Sequence, residues 1–121
     1  MANKELSQKW LDQVDEDTPK TLTKDEVIKL VKDYKRVILS RFSSEPKVYL
    51  FGSYSKGYSK PWSDIDVAVI LPSIKDEDWL EQSADLWHDV DKVSLLIEPV
   101  LLSAEENTLL YREVIRNGIA V

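Results

Sequence analysis

The sequence contains no cysteine. That excludes disulfide bridges and cysteine-bound zinc, and it suits a reducing cytoplasm. Its single histidine, His88, falls on the polar side of a helical pattern and reads as a surface residue rather than a ligand. No apolar run approaches the length needed to cross a membrane. The opening stretch MANKELSQKW is polar and lacks a signal-peptide core. The expectation is a cytoplasmic protein with no membrane partner. Basic residues are also scarce, with 16 Lys and Arg against 22 Asp and Glu for a net charge of −6. A general nucleic-acid binder needs a basic footprint, so the charge balance argues against nucleic acid while leaving a local patch open.

What is present is an ordinary globular composition, 43% apolar and 31% charged over 121 residues, which suits one domain. Residues 1–20 form an N-terminal extension. Within it Leu6, Trp10, Leu11 and Val14 are spaced as in a short helix that caps the domain or meets a second chain. Residues 21–121 form the domain proper. Thr23 and Glu26 make a capping-box pattern ahead of a helix over 23–43. KVYLF (47–51) predicts a strand, and DIDVAVIL (64–71) a second one stopped by Pro72. Helical spacing recurs over 76–92, where Trp79 and Trp87 read as core or partner contacts. VSLLIEPVLL (93–102) predicts a third strand. Ser103 and Glu106 suggest another capping box, the last helix runs to about Asn117, and Gly118 caps it. IAV at the end adds a short edge strand. Helices alternate with strands, so the class is α/β.

The chemistry gathers in LFGSYSKGYSKPWSDIDVAVIL, residues 50–71. Side chains on a strand alternate faces, so Asp64 and Asp66 point the same way. Two carboxylates that close repel one another, and partial burial raises the cost. Taken alone, an Asp-x-Asp is often a solvated strand end. Here Gly52-Ser53 directly follows a strand, where a tight turn offers backbone N–H groups to an anion and glycine allows close approach. A phosphate cradle and a divalent-metal site thus lie a few residues apart, which points to a metal-bound nucleoside triphosphate. Glu98 is a lone carboxylate in an apolar run, and such a group is costly unless paired or bound to metal. If the third strand lies beside the second, Glu98 joins the two aspartates. Otherwise it reaches solvent near a strand end, a reading that Pro99 favours. Tyr54 and Tyr58 serve equally well as base-stacking residues or as cover for the loop.

Gly52-Ser53, ten residues, then Asp64-Ile65-Asp66 resembles the signature of the polymerase β-type nucleotidyltransferase superfamily, most closely its minimal nucleotidyltransferases. The likeness is specific over 47–71 and follows the order of elements to about 118. It implies a small mixed sheet flanked by helices, in the α+β manner of that fold. It implies that Gly52 and Ser53 hold the β- and γ-phosphates, with Lys56 and Ser63 also at the nucleotide. Asp64, Asp66 and Glu98 would be the catalytic carboxylates binding two Mg²⁺ ions, with Mn²⁺ as a substitute. Glu98 would also draw the proton from the acceptor hydroxyl. The family more often has aspartate at that third position and arginine where Lys56 stands. The reaction implied is transfer of a nucleoside monophosphate, AMP from ATP being favoured, with pyrophosphate leaving. The chain has no room for the extra domains of larger members. The resemblance therefore points to a small helical HEPN-like partner, as in toxin–antitoxin pairs in which the transferase adds AMP to a tyrosine of the toxin. A homo-oligomer is the other source of the missing wall. Two further readings are a non-catalytic module that neutralises a helical partner by contact, and a transferase acting on a small molecule such as an aminoglycoside.

Overall fold

The structure, a computed structural model, describes residues 21–57, 59, 60 and 63–121. The expected N-terminal helix and Tyr58 lie outside the described residues. The first helix, α1 (Lys24–Ile38), begins as a capping box requires: Thr23 Oγ1 accepts from the Glu26 N–H, and the Glu26 side chain accepts from the Thr23 N–H. Its apolar residues Val27, Val31, Tyr34 and Ile38 recur at helical spacing and are all buried. The α-helix is shorter than the expected 23–43, because its last turn tightens into a 3₁₀ turn, Leu39–Arg41.

Strand β1 (Lys47–Phe51) follows, then a one-turn helix α2 (Ser53–Lys56) and strand β2 (Ile65–Leu71). Asp64 stands just before β2 rather than within it. Helix α3 (Asp76–His88) is also shorter than the pattern suggested, giving way to a 3₁₀ turn over Val90–Lys92. Strand β3 (Ile97–Ser103) starts four residues later than expected. The apolar run 93–96 is consumed by turns, with the Ser94 N–H bonded to the Val90 carbonyl. An apolar run gives the composition of a strand without its start; the turn takes the first residues.

Ser103 and Glu106 do not cap the last helix. Ser103 is the buried end of β3, and its carbonyl accepts from the Glu106 N–H in a turn. Asn107, at φ 48°, swings the chain into Thr108, and Thr108 Oγ1 accepts from the Tyr111 N–H at 3.1 Å to start helix α4 (Leu109–Asn117). Gly118 ends α4 as expected. A Cβ there would lie 2.6 Å from the Val114 carbonyl oxygen, so close approach is what requires glycine. Strand β4 (Ile119–Ala120) then pairs with β1.

The sheet order is β3-β2-β1-β4, with β1 antiparallel to β2 and β4, and β2 parallel to β3. One face packs Val48, Leu50, Ile65, Val67, Val69, Ile97 and Leu101 against α1 and α3. The other packs Ala68, Ile70, Tyr49, Phe51, Val100 and Leu102 against Val114 and Tyr111 of α4. Strand β2 is buried on both faces, which is why IDVAVIL is nearly continuous in apolar residues. Strand β3 is an edge, where Pro99 is tolerated and Trp79 Nε1 donates to the Leu101 carbonyl at 3.4 Å. Two links, one buried and one partly buried, tie the helical layer together. Tyr34 Oη donates to the Leu86 carbonyl at 2.6 Å, and Arg41 forms a two-pronged pair with Asp89, which is 1% exposed. No helix among the described residues is long and apolar enough to cross a membrane.

Candidate active site

The register of the sheet assembles the site. Asp66 stands opposite Phe51 on β1 and opposite Glu98 on β3, so the two acids share one row and one face. Face alternation places them on the α4 side, in line with Ala68 and Ile70. Asp64, two residues earlier, joins them closely enough for its charge to act on both Asp66 and Glu98. Glu98 and Asp64 are open to solvent, and Asp66 is half-buried.

The electrostatics follow from this crowding. Burial is the largest cause holding the Asp66 pKa above the ordinary carboxylate range. The Asp64 charge adds to it, and a hydrogen bond from Glu98 partly offsets it. Glu98 is pushed up as well, by desolvation first and then by the charges and hydrogen bonds of Asp64 and Asp66. Among the described residues no Lys or Arg forms an ion pair with any of the three.

The close approach of the β1–α2 turn to this cluster depends on Gly52. It sits at φ 78°, a conformation that favours glycine, and a Cβ there would collide with the Asp66 carboxylate, whose Cγ lies 3.0 Å from that point. The turn that follows is fastened from below. The Lys56 N–H donates to the Gly52 carbonyl at 3.1 Å, Ser55 Oγ donates to the same oxygen at 3.0 Å, and Tyr54 is only 3% exposed within the core. Tyr54 is therefore an anchor for the loop and not a stacking platform. Ser53 opens α2 beside Gly52.

The remaining expected residues have other partners. Ser63 Oγ accepts from the Lys60 N–H at 2.7 Å, shortly before β2. Lys56 Nζ pairs with Oε1 of Glu113 on α4 at 3.0 Å. Glu113 escaped sequence reasoning because nothing local links positions 56 and 113; only the packing of α4 on the sheet brings them together. His88 is exposed, as expected, and Trp79 and Trp87 are about half-exposed, at 46% and 52%.

As a donor set the cluster offers only carboxylate oxygens, the ligands of hard divalent cations such as Mg²⁺ or Mn²⁺. Three mutually repelling acids without a cationic side chain suit such an ion. Among the described residues the side chains do not close into a ready-made three-ligand cage. The fit thus lies in the donor chemistry and the uncompensated charge.

Comparison with known proteins gives a consistent picture. The sequence pattern of the polymerase β nucleotidyltransferase family matches residues 36–121. A protein of Methanocaldococcus jannaschii, named as a candidate protein adenylyltransferase, is 28% identical over 100 residues, covering 79% of this chain and 99% of its own. The crystal structure of a candidate nucleotidyltransferase from Sulfolobus solfataricus shares the fold at a TM-score of 0.59, with 21% identity and 80% of each chain covered. A looser likeness, at a TM-score of 0.45 and 25% identity, is to a chain of a toxin–antitoxin solved with AMP-PNP, over 82% of this chain and 72% of that one.

Proposed function

The chain belongs to the polymerase β nucleotidyltransferase family, and from that membership we propose that it transfers AMP from ATP to a hydroxyl on a protein partner. The observation that carries this reading is the register pairing of Asp66 with Glu98, with Gly52 packed against the same Asp66 carboxylate. A carboxylate cluster and a close-approach glycine stand at one end of the sheet, as phosphoryl transfer needs. The candidate protein adenylyltransferase matched over 99% of its length supports a protein as acceptor.

Gly52 lets the phosphate chain approach the backbone, and Ser53 contributes its N–H and hydroxyl to that approach. Asp64, Asp66 and Glu98 would hold Mg²⁺ or Mn²⁺, which when bound supplies positive charge against the phosphates and the reacting oxygens. The acceptor oxygen attacks the α-phosphorus, the bond from that phosphorus to the oxygen bridging to the β-phosphate breaks, and pyrophosphate leaves. The acceptor proton passes to Glu98, the solvent-open acid of the β3 edge beside the reacting groups. The sequence resemblance supports a small helical HEPN-like protein as the acceptor, which would make this chain the antitoxin of a pair.

A second reading is a binding module that neutralises its partner by contact. The half-exposed Trp79 and Trp87 on one helix favour it, because they offer apolar area that no described part of the chain covers. Both readings meet in one experiment. The purified protein is incubated with Mg²⁺ and α-³²P-ATP in lysate of its own host, beside an Asp66→Ala control. Label on a single protein band, lost in the control, supports protein adenylylation. Label on RNA or on a small molecule replaces the acceptor. No transfer from any nucleoside triphosphate overturns the enzyme reading in favour of the binding module.

A further inference from the structure

The lysine nearest the close-approach turn is already engaged. Lys56 closes α2, and its Nζ lies 3.0 Å from Glu113 Oε1. The second oxygen of Glu113, Oε2, accepts from Asn117 Nδ2 at 2.9 Å, one turn further along α4. The carboxylate is therefore held from two sides. Its neighbour Val114 is fully buried against the sheet, which fixes where α4 presents Glu113. The Lys56 hydrogen bond is the leading cause that holds the Glu113 carboxyl below its ordinary range.

We infer that Glu113 restrains nucleotide binding: it retains Lys56 on α4 in the nucleotide-free protein and yields it to the phosphates of an incoming nucleoside triphosphate. The inference rests on the nucleotidyltransferase reading above and takes from it only that phosphates enter beside Gly52 and Ser53. Both side chains of the pair are 43% exposed, so water screens their attraction and the pair is weak. A phosphate oxygen makes a charge-assisted bond to the ammonium and brings more negative charge than one carboxylate. The lysine thus transfers at small cost. Glu113 opposes the triphosphate in two ways, by holding Lys56 and by adding a negative charge beside a polyanion. Glutamine at 113 removes both effects while keeping an acceptor for Asn117.

The test uses the full-length chain with Mg²⁺ and a fluorescent titration of ATP, beside steady-state kinetics. Glu113→Gln is expected to lower the Kd for ATP about two- to fivefold, the range spanned by exposed ion pairs. The KM for ATP falls by the same factor, with the change in KM rather than kcat. Adenosine, which has no phosphates, binds both proteins alike. In a Lys56→Met background the effect of Glu113→Gln shrinks, because the lysine it releases is gone. An unchanged or raised Kd for ATP in Glu113→Gln, with only the melting temperature moved, overturns the inference and leaves a pair that merely braces α2 on α4. A wild-type chain that binds no ATP removes the nucleotidyltransferase reading itself, and this inference with it.

Discussion

Gly52 and Asp66 are neighbours across the sheet that leave no room for a side chain between them: a Cβ on Gly52 would sit 3.0 Å from Asp66 Cγ and closer still to its carboxylate. The glycine also holds φ 78°. Gly52→Ala must displace the aspartate and strain the turn together. We expect a destabilisation of about 1–3 kcal/mol, as for a residue held in a disfavoured backbone region, and loss of transfer by about a hundredfold or more, as for a misplaced catalytic group. Thermal unfolding and the label-transfer assay read the two effects separately. An alanine variant with full activity would show that Asp66 does not need its present position.

The carboxylate cluster makes a prediction about ions. Asp64, Asp66 and Glu98 repel one another with no cationic side chain paired to them among the described residues. Added Mg²⁺ should raise the melting temperature of the wild type, by about 1.4 kcal/mol of stability at ten times its Kd. Asp66→Asn should melt no lower than the wild type in EDTA, since it removes a repelling charge, and should lose the Mg²⁺ response. Calorimetry with and without Mg²⁺ measures both. An equal Mg²⁺ response in the variant would detach Asp66 from ion binding.

Acid stability follows from Asp89. Arg41 beside it is the leading cause that holds its pKa at about 2, against an ordinary 3.8. A carboxyl depressed on folding contributes stability above its unfolded pKa and loses it as pH falls. Asp89, held by Arg41 and also by Lys92, should therefore contribute about 2 kcal/mol at neutral pH. That contribution fades between about pH 4 and pH 2. Asp89→Asn should be less stable than the wild type at pH 7, with the gap closing through the same window. Urea titrations at a series of pH values follow it. A gap that is constant with pH would mean that packing, and not charge, is what Asp89 provides.

The start of α4 is capped by Thr108 and not by the Ser103–Glu106 pair. Thr108 Oγ1 accepts from the Tyr111 N–H at 3.1 Å, whereas Glu106 lies in the turn before it. Thr108→Ala should cost about 1 kcal/mol, and Glu106→Gln close to nothing. Chemical denaturation of the two variants distinguishes them.

The parts that were legible in the sequence are those with a short period or a local partner. Thr23 and Glu26 are three residues apart, and their mutual capping is written in that spacing. The apolar residues Ile65, Val67 and Val69 alternate with Asp66 and Ala68, and that period of two marks the opposite faces of β2. Boundaries were less legible. Leu95 and Leu96 continue the apolar run of β3, yet the bond from the Ser94 N–H to the Val90 carbonyl keeps 93–96 in turns. Ser103 and Glu106 have the spacing of a cap, but Ser103 is drawn into β3 by its parallel pairing with Leu71.

The sequence by itself determined the alternation of helix and strand, the place of Asp66 at the start of β2, and the glycine that precedes it across the loop. Those features rest on φ/ψ preferences and on periods of two and 3.6 residues, which act within a few positions. Only the tertiary structure decided that Glu98 stands opposite Asp66, that Lys56 is held by Glu113, and that Arg41 is locked to Asp89. Those contacts join residues 32, 57 and 48 positions apart. Their geometry depends on strand register and on where each helix lies across the sheet, which burial of the whole core settles at once.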